Sequence, residues 1–149
     1  MMSDTDLLKL YSERVLALTT SIPHLGRLEQ PQARVMKRSP LCGSTVTVDV
    51  ILGPDGRVAE FAQEVKACAL GQASAAVLGQ SVIGRTLPEL QSARDALRAM
   101  LKDGGPVPPA PFQGYEVLLP ARDYKNRHAS ILLALEAACE AMESAQTAA

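Results

Sequence analysis

Five side chains in this 149-residue chain could hold a soft metal or act as a thiol nucleophile: Cys42, Cys68, Cys139, His24 and His128. Cys42 lies in Pro40-Leu41-Cys42-Gly43-Ser44, a Pro/Gly-flanked stretch of the kind that lets backbone and thiol come close to a bound ion. Cys68 ends a strand-like run and precedes a helix-like one, where helix-terminal amides favour negative charge. His128 stands near the start of the last helical stretch. Two thiolates and an imidazole are a ligand type for zinc or an iron–sulfur centre, although no CxxC-type pair announces one here. Spacing alone therefore leaves a Cys42/Cys68/His128 site open beside the alternative of unrelated buried thiols. A Cys–His hydrolase, with Cys68 as nucleophile and His128 as base, is a weaker alternative because no orienting residue or oxyanion motif accompanies the pair. Cys139 follows His128 by eleven residues. The two share a helix face but stand about 16 Å apart along the axis, too far to bind one ion. Its apolar surroundings mark Cys139 as a core residue. His24, in a loop after the first helix, reads as a surface or packing residue.

The elements that must position these side chains are legible in the pattern. Residues 44–52 alternate Val46, Val48, Val50 and Leu52 with Thr45, Thr47, Asp49 and Ile51. Gly53-Pro54-Asp55-Gly56 is a turn signal, and residues 57–67 return as the partner strand. In an antiparallel hairpin the start of one strand and the end of the next share one end of the sheet, which brings Cys42 and Cys68 together. Residues 32–39 supply a further strand. Apolar spacing at Leu7, Leu10, Tyr11, Val15 and Leu18 predicts a helix over residues 4–21 with Ser3 or Asp4 as its cap. Helices are expected over 69–83 and from Leu87-Pro88-Glu89 to residue 102. A Pro/Gly-rich segment follows over 104–119. A last helix over 124–144 turns Ile131, Leu132, Leu135, Ala138, Cys139 and Met142 inward, before a frayed tail. The expected architecture is one α+β domain over residues 1–149, with its sheet over 31–67 and helices over 69–103. The sheet is small, three-stranded and antiparallel, with helices packed on one face and an N-terminal helix.

Composition narrows the partners. Hydrophobic residues make up 47% of the chain, enough for a core. Fifteen basic against sixteen acidic side chains leave a net charge of −1. Such balance gives no general pull toward phosphate backbones or anionic lipid, so neither nucleic acid nor membrane is an expected partner. Three cysteines are too few, and odd in number, for a secreted disulfide framework. The opening Met-Met-Ser-Asp-Thr-Asp is acidic and lacks the features of a signal peptide. These readings point to a soluble protein in the cytoplasm.

Several motifs, in order, resemble the U-type iron–sulfur cluster assembly scaffolds, the IscU, SufU and NifU N-domain family. Tyr11-Ser12-Glu13-Arg14-Val15 and Ile22-Pro23-His24-Leu25-Gly26-Arg27-Leu28 are similar to the family's opening segment. Pro40-Leu41-Cys42-Gly43 resembles its first cysteine loop, P-x-C-G-D. Lys66-Ala67-Cys68-Ala69, with Ile83-Gly84-Arg85-Thr86-Leu87-Pro88-Glu89-Leu90, resembles the second cysteine, its helix and the step after it. Arg127-His128-Ala129-Ser130 stands against K-C-A-T, which puts His128 at the third cysteine. The resemblance spans roughly residues 8–143, and the 60-position separation of Cys68 and His128 makes the longer SufU-like branch the nearest. It implies a scaffold, not an enzyme in the ordinary sense, that holds a [2Fe–2S] or [4Fe–4S] cluster through Cys42, Cys68 and His128. The same resemblance implies a cysteine desulfurase as sulfur source and acceptor apo-proteins as recipients. The SufU-like alternative is a zinc-bound acceptor of persulfide sulfur from the desulfurase. Two positions depart from the family pattern: Ser44 replaces the aspartate, and His128 replaces the third cysteine. Leu119-Pro120-Ala121-Arg122-Asp123 keeps only a trace of the chaperone motif LPPVK, so no dedicated chaperone is expected. With zinc, two thiolates and a neutral imidazole would give a neutral first shell open at one position, since a serine hydroxyl is a poor ligand unless ionised.

Overall fold

A computed structural model describes residues 10–40 and 43–148. Its elements, in chain order, are α1 (Glu13–Thr19), β1 (Ala33–Arg38), β2 (Thr45–Leu52), β3 (Val58–Lys66), α2 (Ala69–Ser81), α3 (Leu87–Lys102), a 3-10 segment (Gln113–Asp123), a 3-10 turn (Lys125–Arg127) and α4 (His128–Ala148). The strands form one antiparallel sheet in the order β1-β2-β3. This is the α+β architecture that the alternating pattern predicts.

Strand alternation decides the layering. Val46, Val48 and Val50 of β2 are at most 1% exposed, and they share a face with Ala33 and Val35 of β1 and Phe61 of β3. On that inner face Lys37 reaches Glu140 of α4, with Nζ and Oε1 2.8 Å apart, so α4 packs across β1 and β2. α2 and α3 pack against α4 in turn. Enclosed by the sheet and two helices, α4 buries residues around most of its circumference, including Ile131, Leu132, Leu135, Ala138, Cys139 and Met142. Burial pushes the Cys139 thiol up to about 11, as suits a core residue. Among the described residues, no helix is long and apolar enough to cross a membrane.

The β2–β3 turn forms as its residues dictate. Gly53 N–H donates to Arg57 O at 2.8 Å, and Gly56 takes φ +79°, a conformation open to glycine but strained for other residues. Elsewhere the chain departs from the expected boundaries. Of the helix expected over 4–21, residues 4–9 lie outside the described residues. The described helix begins at Glu13, where Ser12 Oγ accepts from Val15 N–H at 3.2 Å and fixes a new N-terminus. Within the Pro/Gly-rich stretch 104–119, the second half is 3-10 helix that buries Tyr115, Val117 and Leu118 and continues to Asp123. The last helix begins at His128, after the Lys125–Arg127 turn, and runs to Ala148 with no fraying at 145.

The close approach of α2 to α4 depends on Gly71. A Cβ there would meet Ser130 Oγ at 2.7 Å, Ala67 Cβ at 2.8 Å and Ser130 O at 3.2 Å. The hydroxyl can rotate away; the Ala67 methyl and the backbone oxygen cannot. Gly71→Ala should gain up to about 1 kcal/mol in helix propensity and lose about 1–3 kcal/mol to overpacking. A net fall in urea midpoint is expected; a rise would mean that this contact is loose.

Candidate functional site

Hairpin register places the site. Thr45 pairs with Lys66, so Ser44 and Ala67 follow at the same end of the sheet. Ser39 N–H donates to Ser44 O at 2.8 Å, and Gly43 N–H to Ser39 O at 3.1 Å, closing the β1–β2 connection. Ser44 continues the inner-face parity of Val46 and Val48, and its hydroxyl points to α4. There Ser44 Oγ lies 3.1 Å from Ser130 Oγ. Ser130 Oγ in turn lies 3.5 Å from Cys68 Sγ. Both serines are at most 4% exposed.

Cys68 is half-buried and is the N-cap residue of α2, with extended backbone (φ −65°, ψ 169°). Its side chain makes no capping hydrogen bond, so the thiol is not committed to the helix. The 13 residues of α2 direct their unpaired amides and the positive end of the helix dipole toward this position. On the outer face of the sheet, Arg38, Thr45 and Lys66 form one cross-strand row, with both cations exposed. This end of the molecule therefore presents a thiol and two linked hydroxyls on the α4 side of the sheet, with two exposed cations on its opposite face.

His128 is not part of that cluster. Its ring is 2% exposed, with Nε2 3.0 Å from Ala121 O and 3.1 Å from Arg122 O. Both neighbours are carbonyl oxygens and can only accept, so Nε2 carries the proton and donates. The ring lines a cavity with Lys102, Arg122, Asp123 and Lys125 and ties the end of the 3-10 segment to the first turn of α4. Helix geometry explains the separation: residues two apart differ by about 200° around the axis, so Ser130 facing Cys68 turns His128 to the opposite side.

Of the three residues expected to act together, Cys68 has the expected place at the end of the sheet, His128 points elsewhere, and Cys42 lies outside the described residues. Among the described residues, no three His, Cys, Asp or Glu side chains gather as a metal set. Cys139 is a core residue, 1% exposed. His24 is exposed, with its ring edge-on to Phe61 at 6.1 Å. Sequence reasoning missed Ser130, because a search for ligands by residue type passes over serine. The available signal was phase: once α4 is known to start at His128, its third residue faces α2.

The description "NifU-like N terminal domain" belongs to a family model that matches residues 10–130. A NifU-like protein (N-terminal) from Brucella abortus, described as nitrogen-fixing, is 44% identical over 97% of this chain and 99% of that one, with a TM-score of 0.92. A putative iron–sulfur cluster assembly scaffold protein for the SUF system from Fervidobacterium islandicum shares the fold at a TM-score of 0.79. It is 20% identical over 91% of this chain and 98% of its own. No curated protein matches the sequence.

Proposed function

Because the chain belongs to the NifU-like N-terminal domain family, we propose that it is a scaffold on which iron and sulfide are held as a nascent iron–sulfur cluster and passed to acceptor apo-proteins, with sulfur drawn from a cysteine desulfurase. The observation that carries this reading is the half-buried Cys68 thiol at the end of the sheet, free of any capping bond and beside the Ser130 hydroxyl. Cys42, two residues before Ser44 in sequence, is the second thiol assigned to the cargo.

These residues suit a carrier more than a store. Thiolate ligation displaces protons from both cysteines, so cargo binding is favoured as pH rises. Cargo held by two protein thiolates keeps further coordination positions for incoming ligands, so an acceptor cysteine can displace the scaffold stepwise. The expected third ligand, His128, would have to give up both carbonyl contacts to turn toward Cys68. Its observed role is to pin the start of α4.

The test is anaerobic reconstitution of the reduced protein with iron and sulfide, followed by visible absorption, iron and sulfide analysis, and transfer to an apo-ferredoxin. Bound iron and sulfide that move to the acceptor are the expected result. A protein that stays colourless, keeps one zinc and stimulates a desulfurase would replace this reading with the zinc-bound sulfur acceptor. Failure to bind either metal would overturn both.

A further inference from the structure

We propose that the cavity beside His128 binds the phosphoryl group of a small phosphate ester, on the side of α4 turned away from Cys68. The cavity measures about 420 Å³ and lies between the end of α3, the end of the 3-10 segment and the first residue of α4. That volume suits a small molecule. Lys102, Arg122 and Lys125 line it, against one carboxylate, Asp123. Neither lysine makes a hydrogen bond or ion pair with any described residue, and Asp123 pairs with none of the three cations. Three positive charges against one negative leave the lining at +2, and a concave surface of one sign focuses its field on an incoming anion.

The cationic wall is held in place. Arg122 Nε donates to Met100 O at 2.8 Å and Nη2 to Gly105 O at 3.0 Å, which leaves Nη1 for a ligand. The same bonds remove an obstacle. The C-terminal end of a helix is negative and repels anions, but at the end of α3 the Met100 carbonyl is taken by Arg122. The Ala99 carbonyl there accepts from the Asp103 and Gly105 N–H groups, each at 2.9 Å. From the other side α4, 21 residues long, meets the cavity at its first residue, with the positive end of its dipole. The ligand class follows from count and shape. A phosphate monoester carries about −1.5 to −2 charge at pH 7 and three acceptor oxygens, one for each cation. A carboxylate has two oxygens, which a single guanidinium can fill. Asp123 is placed to accept from a hydroxyl of the ester. No Phe, Tyr or Trp lines the cavity, so nothing there stacks on a nucleobase, and a small polyhydroxy ester is the match.

The test follows backbone amide NMR shifts of the full, metal-free chain, so its outcome is independent of the scaffold reading. Glycerol 3-phosphate is added at constant ionic strength, beside glycerol and succinate as controls. The expected result is a saturable shift of residues 101–105 and 122–129 with glycerol 3-phosphate, none with glycerol, and binding of succinate weaker by about tenfold or more. Lys102→Gln and Lys125→Gln remove charge without removing a contact of the fold. Each should weaken binding about tenfold, the worth of one charge-assisted hydrogen bond. Absence of saturation in the millimolar range, succinate binding as tightly as the ester, or wild-type affinity in either lysine variant would overturn the proposal.

Discussion

Cys68→Ala should leave the fold intact and empty the scaffold. Its side chain is half-buried, packed against the edge of the core and without a capping bond, so the expected change in stability is small, about 0.5 kcal/mol. The change in iron retention is much larger. A structural metal site is worth about 10–16 kcal/mol over its full ligand set, so losing one of two thiolates costs on the order of 3 kcal/mol or more, over a hundredfold in affinity. Iron and sulfide remaining after desalting should fall to background, with the denaturation midpoint unchanged. The other cysteine gives the opposite pattern. Cys139 is 1% exposed and packed within α4; Cys139→Ala should cost about 1 kcal/mol of stability through lost packing and leave iron retention untouched. His128→Ala separates the two possible ligand sets. It removes a buried donor to the Ala121 and Arg122 carbonyls and so destabilises the start of α4, yet bound iron should stay at the wild-type level per folded molecule. Retained iron in Cys68→Ala, or its loss in His128→Ala at full foldedness, would remove the basis for placing the cargo at Cys68.

The same contrast marks what could be read from residues alone. The hairpin was legible because two independent signals agree: period-two alternation through Val46, Val48 and Val50, and a turn whose Gly56 has the positive φ that its type demands. With it came the placement of Cys68 at the end of the sheet nearest Ser44. The 3-10 segment over Gln113–Asp123 was illegible for a physical reason. Its buried Tyr115 and Leu118 follow a three-residue repeat, and the prolines before it carry a turn signal that masks burial. That segment supplies the carbonyls that hold His128, so the ring's direction is a tertiary fact with no local signature. Ser130 was hidden differently. The motif Arg127-His128-Ala129-Ser130 draws attention to its histidine, whereas the face of α4 that meets α2 is set by where the helix starts, two residues earlier. A shift of two residues on a helix is nearly half a turn, enough to exchange a ligand candidate for a structural donor.

Asp49→Asn is expected to give the largest loss of stability from an atom-for-atom conservative change outside the core. Asp49 of β2 lies directly across from Arg34 of β1 on the outer face of the sheet, and its side chain is fully buried. Oδ1 accepts from Arg34 Nε at 2.6 Å, and Oδ2 accepts from Arg34 Nη2 and from Leu28 N–H, each at 2.9 Å. Arg34 Nη2 also donates to Leu28 O at 3.2 Å, so this one carboxylate fastens the 25–30 segment over the sheet. Burial alone would push the Asp49 carboxyl up. The Arg34 and Leu28 hydrogen bonds, with the charges of Arg34 and Arg27, outweigh it and hold the carboxyl below the usual range. An amide keeps the shape but offers one acceptor and turns two donors toward Arg34 and Leu28. The cost should be on the order of 2 kcal/mol, the value typical of hydrogen bonds to a charged group. Its pH dependence identifies the cause. A carboxylate whose folded-state pKa is depressed contributes fully above its unfolded value of about 3.9, and that contribution is lost as pH falls through the folded value. The gap between wild type and Asp49→Asn should therefore be full at pH 7 and close in acid, where the protonated carboxyl resembles the amide. Urea denaturation at pH 7, 5 and 3 measures it. A gap that persists unchanged at pH 3 would assign the loss to packing, and equal midpoints at pH 7 would mean that the charge on Asp49 adds nothing to the fold.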